Sequence, residues 1–203
     1  DTQSAVVLLE DLEYELATFA ADARSSVIIP IPEADLLPSL ESLISLSTSS
    51  DFVHAQQNLG EPPNSWWSGN NQYLPVKTKF SSTWLSQALF IRLRAKCKNK
   101  GVSLTAGFMS LIAATFFRLL PEEYTVIQGD CAVSLRRFLP DRINPRSVGC
   151  YVGSFSESYQ RDSFAIWRDA GRTKATIDGT LRGRGTDMPV GYLSHVPDLT
   201  QWL

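Results

Sequence analysis

Residues 93–120 read LRAKCKNKGVSLTAGFMSLIAATFFRLL, 124–140 read YTVIQGDCAVSLRRFLP and 148–155 read VGCYVGSF. In the first of these, Leu89, Leu93 and Cys97 recur every four residues and predict a helix over 87–98, which Gly101 stops. Ser103 or Thr105 is the candidate cap of a second helix over 106–120, with Met109, Ile112, Ala113, Phe116 and Leu120 on one face and Pro121 at its end. Residues 125–135 change period: Ile127, Cys131, Val133 and Leu135 alternate with Gln128, Asp130 and Ser134, as in a strand with one buried face. The turn-rich PDRINPRS follows, then a second alternation in which Val148, Cys150 and Val152 interleave with Gly149, Tyr151 and Gly153. A helix over 163–177, with Phe164, Trp167, Gly171, Lys174 and Ala175 towards its facing stripe, leads into the loop LRGRGTDMP. Residues 80–85 have the pattern of a strand feeding the helix at 87. Strands alternating with helices make this an α/β chain with a mixed sheet.

Upstream, residues 5–22 place Val6, Leu9, Leu12, Leu16 and Phe19 at spacings of three and four, with most of the acids opposite. Asp1 and Ser4 are both candidate caps for that helix. Residues 25–32 (SSVIIPIP) are extended, because two prolines exclude a helix, and 33–47 read as a short helix broken near Pro38. Residues 51–82 hold three prolines and two glycines with no sustained period, and read as a crossover. The predicted organisation is therefore 1–50 as part of one lobe, 51–82 as the crossover and 83–203 as a second lobe. A chain that starts inside structure and stops just after a loop predicts a piece of a longer protein.

Composition sets the outer limits. The 203 residues are 43% hydrophobic and 20% charged, the balance of an ordinary globular chain. Lys+Arg 19 against Asp+Glu 21 gives a net charge of −2, which offers no cationic field to a nucleic-acid backbone. No uncharged apolar run approaches the roughly 20 residues that span a bilayer, so no transmembrane segment is expected. Three separated cysteines without a CxxC pair argue against a disulfide scaffold or a metal site and for a reducing, cytoplasmic setting, with membrane-surface association left open.

The short catalytic motifs are absent: no GxSxG, no phosphate loop, no HExxH and no GxGxxG. Of the two histidines, His54 falls in the polar crossover and His195 in a turn with Asp198 three residues on. The cysteines read as small hydrophobes, the basic row from Arg92 to Lys100 as a solvated helix face, and the RGRG stretch as a weak RNA contact. Taken alone, these residues name no reaction.

The order and spacing of the three quoted stretches resemble the chloramphenicol acetyltransferase-like superfamily, closest to its fungal alcohol O-acetyltransferase and condensation-domain branch. The likeness covers about residues 1–20 and 85–160, and Ser134-Leu135-Arg136 stands where that branch often has Asn-Leu-Arg. Asp1-Thr2-Gln3-Ser4 and the helix behind it resemble the tail of the HHxxxDG signature, with Thr2 in place of the glycine. The resemblance implies a two-lobe sandwich, a mixed sheet with flanking helices, incomplete at both ends. It implies Asp1 as the structural aspartate, held by an arginine upstream of this chain, and a base histidine four positions before it, also outside the chain. It implies acetyl-CoA or another acyl-CoA as co-substrate, a small alcohol or amine as acceptor, no bound cofactor and no metal. Ser134, Gly149 and Tyr151 would lie at the wall of the substrate tunnel. The late DFGWG motif of the family is absent. Two alternatives follow from the same likeness: a non-catalytic binding or scaffold module of this fold, and a condensation-like domain that uses carrier-protein thioesters.

Overall fold

The computed structural model describes residues 2–21, 36–58, 63–67 and 81–196. The chain is α/β. Its elements, in order, are α1 (Thr2–Ala21), α2 (Leu40–Leu43), α3 (Ser50–Gln57), α4 (Gln87–Asn99), α5 (Leu104–Leu119), β1 (Val126–Ser134), β2 (Val152–Gln160), α6 (Ile166–Gly183) and α7 (Pro189–Tyr192). Single 3-10 turns lie at Arg136–Phe138, Arg161–Ser163 and Leu193–His195. β1 and β2 pair as a two-stranded sheet. The bonds just outside its two ends, Leu135 N to Tyr151 O at 2.9 Å and Arg161 N to Thr125 O at 2.8 Å, make the pairing antiparallel. A parallel bridge from Trp66 to Val126 adds the other sense of pairing.

The chain forms two compact units that interleave in sequence: residues 1–53, 132–154 and 184–203 in one, and residues 54–131 and 155–183 in the other. The first is centred on Leu40, Leu135, Leu139, Ile143, Tyr151 and Met188, all buried. The second is built on Ala113, Phe117, Ile127 and Tyr159, and on Cys97, Val102 and Ala170.

In the second unit the helix signals act where the sequence puts them. Ser86 Oγ accepts from Leu89 N at 3.3 Å and Ser103 Oγ accepts from Ala106 N at 3.1 Å, so serine caps start α4 and α5. Gly101 takes φ +69°, and Val102 N reaches back to Cys97 O at 3.0 Å, closing α4 as a glycine-ended helix does. The face of α5 is in large part the predicted one, with Ala113 buried and Met109, Phe116 and Leu120 packed against the same core. Its buried residues are Ala106, Gly107, Ser110, Ala113 and Phe117, whereas Ile112 is exposed. Small residues let neighbours approach: a Cβ on Gly107 would meet Cys97 Sγ at 2.6 Å, and Ser110 Oγ donates to Ile166 O at 2.7 Å. On α6 the buried positions are Asp169, Ala170 and Thr173 in place of the predicted Lys174 and Ala175 stripe.

Other expectations also shift. Residues 51–57, read as irregular crossover, belong to α3. Of residues 80–85, read as strand, the described 81–85 carry no strand, and Ser86 behind them caps α4. The second strand begins at Val152, four residues later than its pattern suggested, so Cys150 is exposed and not on an apolar strand face. The apolar stripe of α1 is largely uncovered: Val7 is buried, while Leu9 is 65% exposed and Leu12 and Leu16 are also exposed. Residues 25–32 and the start of the predicted 33–47 helix lie outside the described residues.

Candidate active site

The predicted site residues gather, within the first unit, around one side chain that the sequence reading passed over. Arg136, in the 3-10 turn after β1, is 5% exposed. A buried guanidinium is tolerated only when its fixed fork of donors meets acceptors. Here Nη2 donates to Ser4 Oγ at 3.0 Å, Ser147 O at 3.1 Å and Gly149 O at 2.9 Å. Nη1 donates to Gln3 Oε1 at 3.3 Å, and Nε to Ser147 O at 3.4 Å. The guanidinium carbon stands 5.1 Å from the centroid of the Tyr151 ring, within cation–π range.

Each partner is fixed in turn. Ser4, a predicted cap, lies inside α1, buried, and its Oγ exchanges hydrogen bonds with both the N–H and the carbonyl of Gly149, each at 3.0 Å. Gln3 Nε2 donates to Pro145 O at 2.8 Å, while its Oε1 also accepts from Ser134 Oγ at 3.3 Å. Gly149 has no room for a side chain: a Cβ would come within 2.6 Å of Tyr151 Cε2. Tyr151 is buried in the core, with its hydroxyl donating to Pro38 O at 3.2 Å. Ser134, Gly149 and Tyr151 are thus brought together, with Gln3 and Ser4 from the first turn of α1 and with Arg136 between them. Further along α1, Arg146 pairs with Glu10 at 3.0 Å and with Asp11. Those two carboxylates hold the Arg146 guanidinium above its usual pKa, Glu10 through a hydrogen bond first and Asp11 through its charge next. Asp1 lies outside the described residues.

None of the cluster's described side chains is a base or an activated nucleophile. His195 sits in the last 3-10 turn, its Nε2 2.9 Å from Thr48 Oγ1 and its ring stacked on Tyr192, and Asp198 lies outside the described residues. His54 is exposed on α3. Burial pushes the Cys97 and Cys131 thiols above their ordinary pKa, which keeps them protonated and poorly nucleophilic. Among the described residues no three His, Cys, Asp or Glu side chains converge to hold a metal ion.

The signal for Arg136 was the Ser134-Leu135-Arg136 pattern itself. An arginine directly after a leucine that ends a strand reads as surface charge. Nothing local shows that its acceptors come from residues 3, 4, 147 and 149.

Over 175 residues, 81% of its length, the chain is 26% identical to a probable alcohol acetyltransferase, CrmB, of Aspergillus fumigatus. The aligned part spans 37% of that protein. Among solved structures, polyketide synthase associated protein 5 of Mycobacterium tuberculosis superposes on 94% of this chain with a TM-score of 0.59 and 19% identity, over 49% of its own length. That likeness is one of fold. No protein-family model matches the chain.

Proposed function

We propose that this chain is part of an acyltransferase that carries an acyl group, acetyl in the first instance, from a CoA thioester to an alcohol hydroxyl. The observation that carries the reading is the Arg136 cluster. It ties the first turn of α1, directly behind the segment resembling the HHxxxDG tail, to the Ser134-Leu135-Arg136 and Gly149-Cys150-Tyr151 segments on which the chloramphenicol acetyltransferase-like resemblance rests. The similarity to a probable alcohol acetyltransferase supports the same class.

In this reading Asp1 closes the signature and a histidine four positions before it is the base. An alcohol's proton is far too tightly held at neutral pH, and a positioned base supplies roughly 10²–10⁴-fold. The base takes the hydroxyl proton as the oxygen attacks the thioester carbonyl carbon. The C–S bond then breaks, and the sulfur leaves with that proton as free CoA thiol. The contribution of the described residues is positional: Arg136, Ser4 and Gln3 hold the start of α1 against the Gly149 backbone. A displaced reacting group loses rate steeply, so such an anchor matters to kcat.

The test uses the full-length protein that contains this chain, with acetyl-CoA and a panel of small alcohols and amines, following thiol release with a chromogenic thiol reagent. Acceptor-dependent release with an equal amount of ester or amide is expected. Release with no acceptor in the panel would leave a binding module of this fold as the better account.

A further inference from the structure

The α4–α5 face of the second unit carries a charge pattern unlike the rest of the molecule. Residues 81–120 contain six basic side chains and no acidic one, in a chain whose net charge is −2. On α4 and its cap, Arg92, Arg94, Lys96, Lys98 and Lys100 are all exposed, as is Arg118 on α5. None of the six pairs with a carboxylate among the described residues. An ordinary solvated helix face intersperses both signs.

The same face is apolar. A cavity of about 420 Å³ opens between the two helices, lined by Leu85, Leu89 and Leu93 on one side and by Leu111, Ile112 and Phe116 on the other. Ile112 is 52% and Leu119 75% exposed, and Trp84, beside Leu85, is 91% exposed. These are the bulky positions that the small-residue packing face of α5 leaves outward. The polar group in the lining, Thr115 Oγ1, already donates to Leu111 O at 2.9 Å, so the groove offers little to orient a polar ligand. Within α4, Leu89 of the groove lining, Arg92 and Lys96 follow one another at helical spacings of three and four, and Lys100 is the C-cap one turn on.

Unpaired cations on long, flexible stems beside a contiguous apolar strip, with a nearly bare indole at the rim, match the chemistry of one surface. We propose that the α4–α5 face is a docking surface for an anionic phospholipid bilayer. Arg92, Lys96 and Lys100 meet headgroup charge while Leu89, Ile112, Leu119 and Trp84 enter the outer acyl layer. Lys and Arg stems extend along apolar surface with their charge in the headgroups, and tryptophan favours that same depth. A protein partner would need fixed acceptors matched to fixed donors. A fluid anionic surface needs only net charge and apolar depth, which is what this face supplies. No single described helix is long and apolar enough to cross a membrane, and the contact proposed is interfacial.

The experiment is co-sedimentation of the full chain with phosphatidylcholine vesicles, with and without about 30% phosphatidylserine, at low salt and at 0.5 M salt. Binding is expected to the serine-containing vesicles alone and to fall away at high salt. Each cation is worth about fivefold in partition near such a surface, so Lys96→Gln with Lys100→Gln should weaken binding about thirtyfold. Ile112→Ser with Leu119→Ser should weaken it at every salt concentration. All four positions are exposed, and unchanged thermal melts would confirm intact folding. Trp84 emission should shift blue on binding, a change that Trp84→Phe removes. Failure to bind phosphatidylserine vesicles at low salt would overturn the proposal. So would equal binding to neutral vesicles, indifference to the lysine pair, or dimers in solution that the Ile112 and Leu119 substitutions dissolve.

Discussion

Arg136→Lys keeps the charge at the centre of the candidate site and removes its shape. Among the described residues the guanidinium serves Ser4 Oγ, Ser147 O, Gly149 O and Gln3 Oε1. A lysine ammonium has three donors on one nitrogen and cannot span that fork. If it reaches Gly149 O and Ser4 Oγ, Ser147 O loses the guanidinium and Gln3 Oε1 keeps only the Ser134 hydroxyl. An unmet buried acceptor costs about 1–3 kcal/mol, and Gln3 is only half-buried, so the substitution should cost about 2–4 kcal/mol. For a chain of 203 residues each kcal/mol moves the melting temperature by about 2–4 °C, which gives a fall of about 5–15 °C in a calorimetric scan. Arg137 is the control. It is exposed, with its guanidinium 5.6 Å from the Phe138 ring centroid, and Arg137→Lys should change stability by less than about 0.5 kcal/mol. An Arg136→Lys protein melting within about 2 °C of the parent would refute the claim that this fork holds α1 to the loop behind β1.

Two glycines should respond in opposite directions. Gly149→Ala drives a methyl to 2.6 Å from a ring that the core and Arg136 hold in place, and should cost about 1–3 kcal/mol in denaturant unfolding. Gly171→Ala, inside α6 with nothing within 4 Å of the new Cβ, should gain about 0.5–1 kcal/mol in the same experiment. Alkylation followed by peptide mapping should label exposed Cys150 first at pH 8, with Cys97 and Cys131 lagging. Burial raises both lagging thiols above 9.0, so the fold favours their neutral form. That contribution to stability is whole below pH 9 and declines as the pH rises through the raised values. Equal labelling of all three at pH 8 would contradict the burial.

What was legible in the sequence was what local chemistry dictates. Ser103 and Gly101 mark helix ends through hydrogen bonds that span only a few residues, and the alternation of 126–134 reappears in the burial of β1. Ser134, Gly149 and Tyr151, which the family resemblance assigns to a tunnel wall, lie near one another around Arg136. Two things were hidden. On α5 the apolar pattern finds Ala113 and the core-packed Met109, Phe116 and Leu120, but it skips Gly107 and Ser110, which close packing puts inside, and includes Ile112, which is out. Arg136 was hidden because its described acceptors lie outside any local window, 11 and 13 residues on at Ser147 O and Gly149 O and more than 130 residues back at Gln3 and Ser4 in α1. Asp187 shows the same limit. At φ +52° it accepts from Ser49 N at 2.6 Å and Ser49 Oγ at 3.0 Å, a capping role no local window around residue 187 reveals.

The interleaving of the two units has a consequence for how the chain is made. During synthesis, residues 54–131 and 155–183 can assemble as soon as position 183 clears the ribosome. The other unit must wait, because its core includes Met188, whose sulfur sits where a Cβ on Gly153 would be, at 2.4 Å, and because Gly191 lies against the carbonyl of Leu46. Leu40, Leu135 and Tyr151, translated before it, therefore stay without part of their core until Met188 arrives. Pairings of such long sequence separation form slowly and leave apolar surface open to wrong partners meanwhile. A nascent chain from which position 183 has emerged and position 188 has not would hold one unit able to assemble and one unfinished, and that interval is where a chaperone would be needed most.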